Sequence, residues 1–250
     1  MGSTKKKIRD PRDSTMSLGD HLEELRWRLI RAIAGLVLGT IICLFFGTRI
    51  IDFIERPYYN LTDQPLVVLA PADAFVSYMK ISMIAGLILS SPWVFYQLWM
   101  FVAAGLYENE RRYVYYAVPF SVILFVVGAL FFLFVVAPIS LAFFLKFGKF
   151  INVEANWTLQ KYVSFMTMLM LVFGVAFQTP IVIFILNKTG LVSIEALKRS
   201  RKFVLLGVFF LAAVATPPDV MSQVALALQL YALFELGIVL SWFAGRRKKS

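Results

Sequence analysis

YVYYAVPFSVILFVVGALFFLFVV, residues 113–136, carries no charged side chain. As a helix rising 1.5 Å per residue it reaches about 36 Å, more than the ~30 Å hydrocarbon core of a bilayer. It is apolar and aromatic all round, where a surface helix of a soluble domain would keep one polar face. Five further blocks flank it: Leu29 to Phe46, Ile81 to Phe101, Tyr162 to Leu186, Phe203 to Thr216 and Val220 to Trp242. The chain of 250 residues is 60% hydrophobic and 16% charged, whereas a soluble domain is nearer half apolar and a quarter charged. The reading is an all-α polytopic membrane protein with six transmembrane helices. No polar stretch is long enough for a soluble domain. Residues 17–243 therefore read as one membrane domain, 1–16 as a flexible basic N-terminus and 244–250 as a basic tail. No small-residue cleavage site follows the first block, so it reads as a retained span. The fifth block has about 14 residues and reaches only about 21 Å. It predicts a short helix, beside thinned bilayer or shielded by partners.

Charge orients the spans. Lys+Arg number 25 against 15 Asp+Glu, a net charge of +10. Lys5, Lys6, Lys7, Arg9, Arg12, Arg26, Arg28 and Arg31 precede or open the first span, and Arg111 and Arg112 follow the second. Lys188, Lys198, Arg199, Arg201 and Lys202 follow the fourth, and Arg246, Arg247, Lys248 and Lys249 end the chain. The opposite loops hold only Arg49, Arg56, Lys146, Lys149 and Lys161. The positive-inside rule then places both termini in the cytoplasm. The basic excess faces anionic lipid, so no nucleic-acid partner is expected. Cys43 is the single cysteine and His21 the single histidine, which excludes an intrachain disulfide and the usual zinc sites. Tryptophans 27, 93, 99, 157 and 242 lie near predicted span ends, as interface anchors do.

Prolines 92, 119, 138, 180, 217 and 218 punctuate the spans. Kinked helices of unequal length favour a cupped, concave body over a straight bundle, although membrane helices also tolerate proline for packing alone. SLGDHLEELRWRL, residues 17–29, reads as a capped helix at the cytoplasmic interface, with Leu18, Leu22, Leu25 and Leu29 on one face. Asp20, Glu23 and Glu24 are either locally paired, Glu24 with Arg28 at i, i+4, or an acidic pocket for a cationic ligand. LYENERRY, residues 106–113, supplies a second acidic cluster, Glu108 and Glu110, on the same side; it is either an ordinary solvated loop paired to Arg111 and Arg112 or part of a cationic-ligand site. Two such clusters suit guanidinium groups, which bond carboxylates through two parallel donors. Gln178 lies in mid-span, where it either caps carbonyls freed by Pro180 or receives a neighbouring helix. Glu235 in the sixth span demands a partner or water, and Lys80 can snorkel.

HLEELRWRL at 21–29, FVSYMKIS at 75–82, YQLWMFVAAGLYENERR at 96–112, FGVAFQTPI at 173–181 and TPPDVMSQ at 216–223 resemble, in this order, the landmarks of the TatC family. The resemblance covers nearly all of residues 17–243. It implies a cupped six-span body with short fifth and sixth helices, in the cytoplasmic (inner) membrane. It further implies the receptor core of the twin-arginine translocase, without catalysis or cofactor of its own. Such a core binds the paired arginines of signal peptides on folded cargo. It works with single-span TatA and TatB partners and the proton-motive force, and is expected to form a homo-oligomer in the assembled complex. By motif, Glu24 and Glu110 are the signal-binding acids, Arg26 positions the site, and Phe101 and Leu106 form its platform. Pro57 matches a landmark of the first outer loop. Thr216, Asp219 and Gln223 belong to the last outer turn, where partner helices are expected together with Gln178. Many family members carry glutamate where this chain has Gln178, and an amide cannot titrate. The competing reading is a small-molecule or ion transporter with Glu235, Gln178 and Lys80 along a polar path. An intramembrane serine protease is disfavoured, because His21 stands before the first span and no GxSxG occurs.

Overall fold

The computed structural model describes residues 18–106, 108–153, 156–215 and 220–246; within these, the side chains of 18, 20, 108–112, 215 and 244–246 are outside the description. All named elements are helical: α1 Leu18–Phe45, α2 Gly47–Tyr59, α3 Asp73–Ala104, α4 Glu108–Phe131, α5 Ala137–Phe150, α6 Leu159–Ala176, α7 Thr179–Lys188, α8 Ile194–Arg199, α9 Arg201–Ala215 and α10 Val220–Arg246. An isolated parallel bridge joins Val67 to Thr158.

Five helical stretches among the described residues are long and apolar enough to cross a membrane: 21–45, 73–104, 113–150, 159–188 and 220–243. The expected fifth span is α9, which has 15 residues and reaches about 23 Å. Its shortness is as the sequence predicts. The sixth helix is not short: α10 has 27 residues.

Three other boundaries differ from expectation. Residues 18–29 do not lie along the interface as a separate helix; they are the first turns of the continuous 28-residue α1. No glycine or proline stands between Leu22 and Leu29 to break the ladder. The third span continues past Val136. A π-helical turn, Phe132–Val136, joins α4 to α5, so 38 residues run unbroken to Phe150. Pro138 has no N–H for the carbonyl one turn back, and the wider turn before it accommodates that loss. At about 57 Å, this rod outruns the bilayer. The fourth span breaks between α6 and α7 at Phe177 and Gln178, just ahead of Pro180.

The helices α3, α4 and α6 pack mutually, and the others attach to them and to α10. α1 packs chiefly on α3, α3 on α4 and α6, α4 on α6, α7 on α10, and α10 on α9. The main core lies between α3, α4, α6 and α10, with Phe132, Leu133, Met166, Leu169 and Phe173 fully enclosed. A second cluster of Trp99, Ala103, Val114, Ala117, Ile181 and Ile185 supports the α3–α4 turn. Trp99 is therefore no interface anchor: it is buried, and its Nε1 donates to Ser121 Oγ at 2.7 Å. At the N-terminal end of α6, Tyr162 donates to the Ile54 carbonyl at 2.7 Å. There Asp73 accepts from the Ala70 amide at 3.0 Å. The Tyr162 bond fastens α2 to α6, the Asp73 bond closes the loop onto the start of α3, and Val67 ties that loop to Trp157 and Leu159 at the start of α6.

Candidate functional site

α1 is held to α3 along its whole length by small residues and single polar contacts. A Cβ built on Gly86 would lie 2.5 Å from the Thr40 nitrogen, and one on Gly39 would lie 2.6 Å from the Gly86 carbonyl oxygen. Only glycine permits this approach of two backbones, the packing mode of small residues in membrane helices. Gly35 and Gly39 form a GxxxG on α1, and a Cβ at Gly35 would strike the Trp93 ring at 2.3 Å. Trp93 Nε1 donates to the Arg31 carbonyl at 2.9 Å, and Tyr78 donates to the Leu44 carbonyl.

The same contact line carries the chemistry at the N-terminal end of α1. His21, Glu24 and Arg28 recur on one face of α1, while Trp93, Gln97 and Phe101 recur at i, i+4 and i+8 on α3. The His21 ring stacks on Phe101, centroids 4.6 Å apart and planes 25° apart. A Cβ on Gly105 would lie 3.6 Å from His21 Cε1. Arg28 Nε donates to Glu24 Oε1 at 2.7 Å. Arg28 Nη1 donates to Gln97 Oε1 at 3.2 Å, and Gln97 is 2% exposed. Among the described residues Glu24 Oε2 makes no hydrogen bond. The arrangement presents a half-exposed carboxylate with one oxygen occupied and one open, beside an aromatic step.

Of the residues picked out by sequence, Glu24 and Phe101 meet here. Arg26 is exposed and makes no ion pair among the described residues. Leu106 is half-buried against the Trp99 cluster beneath the α3–α4 turn. Glu110 lies in the first turn of α4, and its side chain is outside the described residues, as are Thr216 and Asp219 altogether. Gln223 is half-buried in the first turn of α10, and Pro57 is buried inside α2. Gln178 Nε2 donates to the Ser121 carbonyl of α4 at 3.0 Å, while its Oε1 is buried without a partner among the described residues. It does not cap the break at Pro180: Thr179 Oγ1 takes the freed Ala176 carbonyl at 2.7 Å, being one residue nearer and short enough to fold back.

The supposed polar path dissolves into local pairs. Lys80 Nζ donates to Ser164 Oγ at 2.9 Å. Glu235 Oε2 accepts from Arg201 Nη2 at 2.6 Å, which satisfies the acid at the basic start of α9. Arg28, Gln97 and His21 were not picked out as site residues from sequence. The signal for Gln97 was its spacing of four from both Trp93 and Phe101, which marks one face of α3.

The family described as "Sec-independent protein translocase protein (TatC)" matches residues 20–228. The TatC protein of Desulforapulum autotrophicum is 36% identical over 92% of this chain and 86% of its own length. That of Aquifex aeolicus is 35% identical over 94% of this chain and 98% of its own, and that of Escherichia coli K12 35% identical over 92% and 90%. The crystal structure of the twin-arginine translocase receptor TatC in DDM superposes with a TM-score of 0.80 at 34% identity. It covers 88% of this chain and 99% of the solved one. These relatives are named as components of a protein translocase, a transport machine without an enzymatic reaction, and the apolar helices make this a multi-pass membrane protein. The chain belongs to the TatC family of Sec-independent protein translocase proteins.

Proposed function

We propose that this chain is the receptor core of a twin-arginine translocase in the cytoplasmic membrane, with both termini cytoplasmic. It takes the paired arginines of a signal peptide at Glu24 and Glu110. The observation that carries this reading is Glu24 itself, a half-exposed carboxylate with an open oxygen beside the His21–Phe101 stack and the turn leading to Glu110. Guanidinium suits such an acid because it is planar, always charged and offers a fork of donors. The basic segments at 1–16 and 244–250 flank the single membrane domain and face anionic lipid. The local pairing of Lys80 and Glu235 supports a receptor over a small-molecule transporter.

Single-span TatA- and TatB-type partners would dock at Gln178 and Gln223, together with Thr216 and Asp219, which lie outside the described residues, and exploit the proton-motive force to export folded cargo. Supporting this is an apolar groove of about 450 Å³ between Phe131, Ile139, Phe177, Leu228 and Leu236. Gln229 lines it with both side-chain polar atoms buried and, among the described residues, unpartnered. Several copies of the chain would share the assembled complex.

The test is binding of a labelled signal peptide to the detergent-purified protein, with paired arginines compared with paired lysines. Arginine should be preferred. Glu24→Ala or Glu110→Ala should weaken it by about 1.5–3 kcal/mol, the range for hydrogen bonds to charged groups. Unchanged affinity in both variants refutes the site. Gln178→Leu should leave peptide binding intact while lowering co-purification of the single-span partner. Equal recovery from wild type and variant would remove Gln178 from the docking flank.

A further inference from the structure

We propose that Arg28 is an internal competitor for the signal peptide, so that the receptor site is occupied by the protein's own guanidinium until an incoming arginine exchanges with it. This rests on the assignment of Glu24 as a signal-binding acid. Three observations carry it. Arg28 Nε holds Glu24 Oε1 at 2.7 Å, which is the same chemistry the peptide would use. Glu24 Oε2 is open among the described residues. Gln97, buried at 2% exposure, holds Arg28 Nη1 through its Oε1 at 3.2 Å.

The geometry distinguishes arginine from lysine. An ammonium is a point charge that needs one carboxylate oxygen, and Oε2 is available to it without disturbing Arg28. A guanidinium binds best as a two-pronged fork across both oxygens. That mode requires Arg28 to release Oε1. Gln97 gives the displaced Arg28 a neutral acceptor on α3, so its charge is not stranded against the apolar face of the helix. The exchange replaces one guanidinium–carboxylate bond by two, and the gain is realised only by a ligand with arginine geometry. A lysine peptide meets the open oxygen and, in addition, the undisplaced positive charge of Arg28. Self-occupation therefore lowers the affinity for every cationic peptide and lowers it least for the one that completes the exchange.

The experiment measures dissociation constants of the paired-arginine and paired-lysine peptides. The proteins are wild type, Glu24→Gln, Arg28→Gln, Arg28→Lys, and Arg28→Gln combined with Glu24→Gln, each as the full chain in detergent. Monodispersity and melting temperature report folding. Arg28→Gln should bind the arginine peptide about fivefold more tightly than wild type, the factor for losing a competing pair of this partial exposure. That gain should vanish when Glu24→Gln is present. Arg28→Lys, which keeps the charge but not the fork, should lie between. A loss of affinity in well-folded Arg28→Gln and Arg28→Lys would overturn the proposal, because Arg28 would then be holding Glu24 in its productive orientation. A gain in Arg28→Gln that persists with Glu24→Gln would overturn it too, as general charge repulsion. Failure of the underlying site has a separate signature: Glu24→Gln alone would leave arginine-peptide binding at the wild-type value.

Discussion

α1 and α6 are both apolar rods that hydropathy places in the membrane, yet the protein uses them in opposite ways. Only 11% of the apolar window in α1 is buried, against 44% along α6 and α7. α6 packs on both α3 and α4, and its Phe173 is fully enclosed between Phe131 and Phe132, with ring centroids 6.4 and 5.3 Å away. α1 is an edge that packs chiefly on α3, with Ile33, Val37, Leu38 and Ile41 exposed on its flank. The interior helix is held by volume, the edge helix by closeness. In lipid, exposed leucines and isoleucines cost nothing, so association depends on van der Waals fit and a few hydrogen bonds. The edge also carries Glu24, the acid proposed to take the peptide. A site that must admit a long polar ligand from the cytoplasm is better placed on a helix with a free flank than on one enclosed all round.

The contrast breaks most severely at Phe173. Phe173→Ala should destabilise the protein by about 3–5 kcal/mol, because its phenyl ring leaves a cavity that α3, α4 and the π-helical turn packed on α6 cannot collapse into. The melting temperature in detergent reads this directly, and a wild-type value would mean that α6 is not packed by volume. On the edge the corresponding change adds atoms. Gly86→Ala places a methyl within 2.5 Å of the Thr40 backbone, and neither backbone can yield as a side-chain tip would. The expected loss is about 1–3 kcal/mol, the range for overpacking. The peptide affinity should fall as well, since α3 carries Gln97 and Phe101 against α1. A Gly86→Ala protein with unchanged melting and binding would sink the account of the edge. Trp93→Phe, which removes the donor to the Arg31 carbonyl and keeps the ring plane, should lose about 0.5–1.5 kcal/mol. Retention of full stability would leave the glycines as the main tie between α1 and α3.

What could be read from sequence follows the same division. Long uncharged blocks announce span-length helices whether the helix is enclosed or marginal, so α1, α3, α4, α6 and α10 were legible. So was the shortness of α9. Hydropathy does not say which side of a helix meets protein, and α1 and α6 look alike on that measure. The continuation of α4 through the π turn into α5 was hidden because Pro138 suggests a stop, while the chain absorbs it by widening one turn. Glu24 and its pair with Arg28 were legible from i, i+4 spacing alone. Gln97 was not, because its role is set by α1, sixty-nine positions away along the chain. Gln178 was visible as an anomaly, but whether it caps its own helix or reaches to Ser121 depends on how closely α4 approaches.

The smallest effect is expected at α2, which joins the two regions: Gly47 lies against Tyr78 of α3, and the Ile54 carbonyl accepts from Tyr162 of α6. Glu55 on this helix is half-buried, and its carboxyl is pushed above the ordinary value, first by burial and then by the neighbouring charge of Asp52. The folded state therefore holds this proton more tightly than the unfolded one. Its contribution to stability is complete below the unfolded carboxylate pKa and is lost as pH rises through the raised folded value. Glu55→Gln keeps the shape and removes the titration. The variant should match wild type at about pH 4. Above neutrality it should be the more stable by a few tenths of a kcal/mol, since solvent screens a group this exposed. Melting curves of the two proteins across that pH range check it. If the difference between them did not change with pH, α2 would be a passive spacer, and the edge and the interior would be joined by its backbone bonds alone.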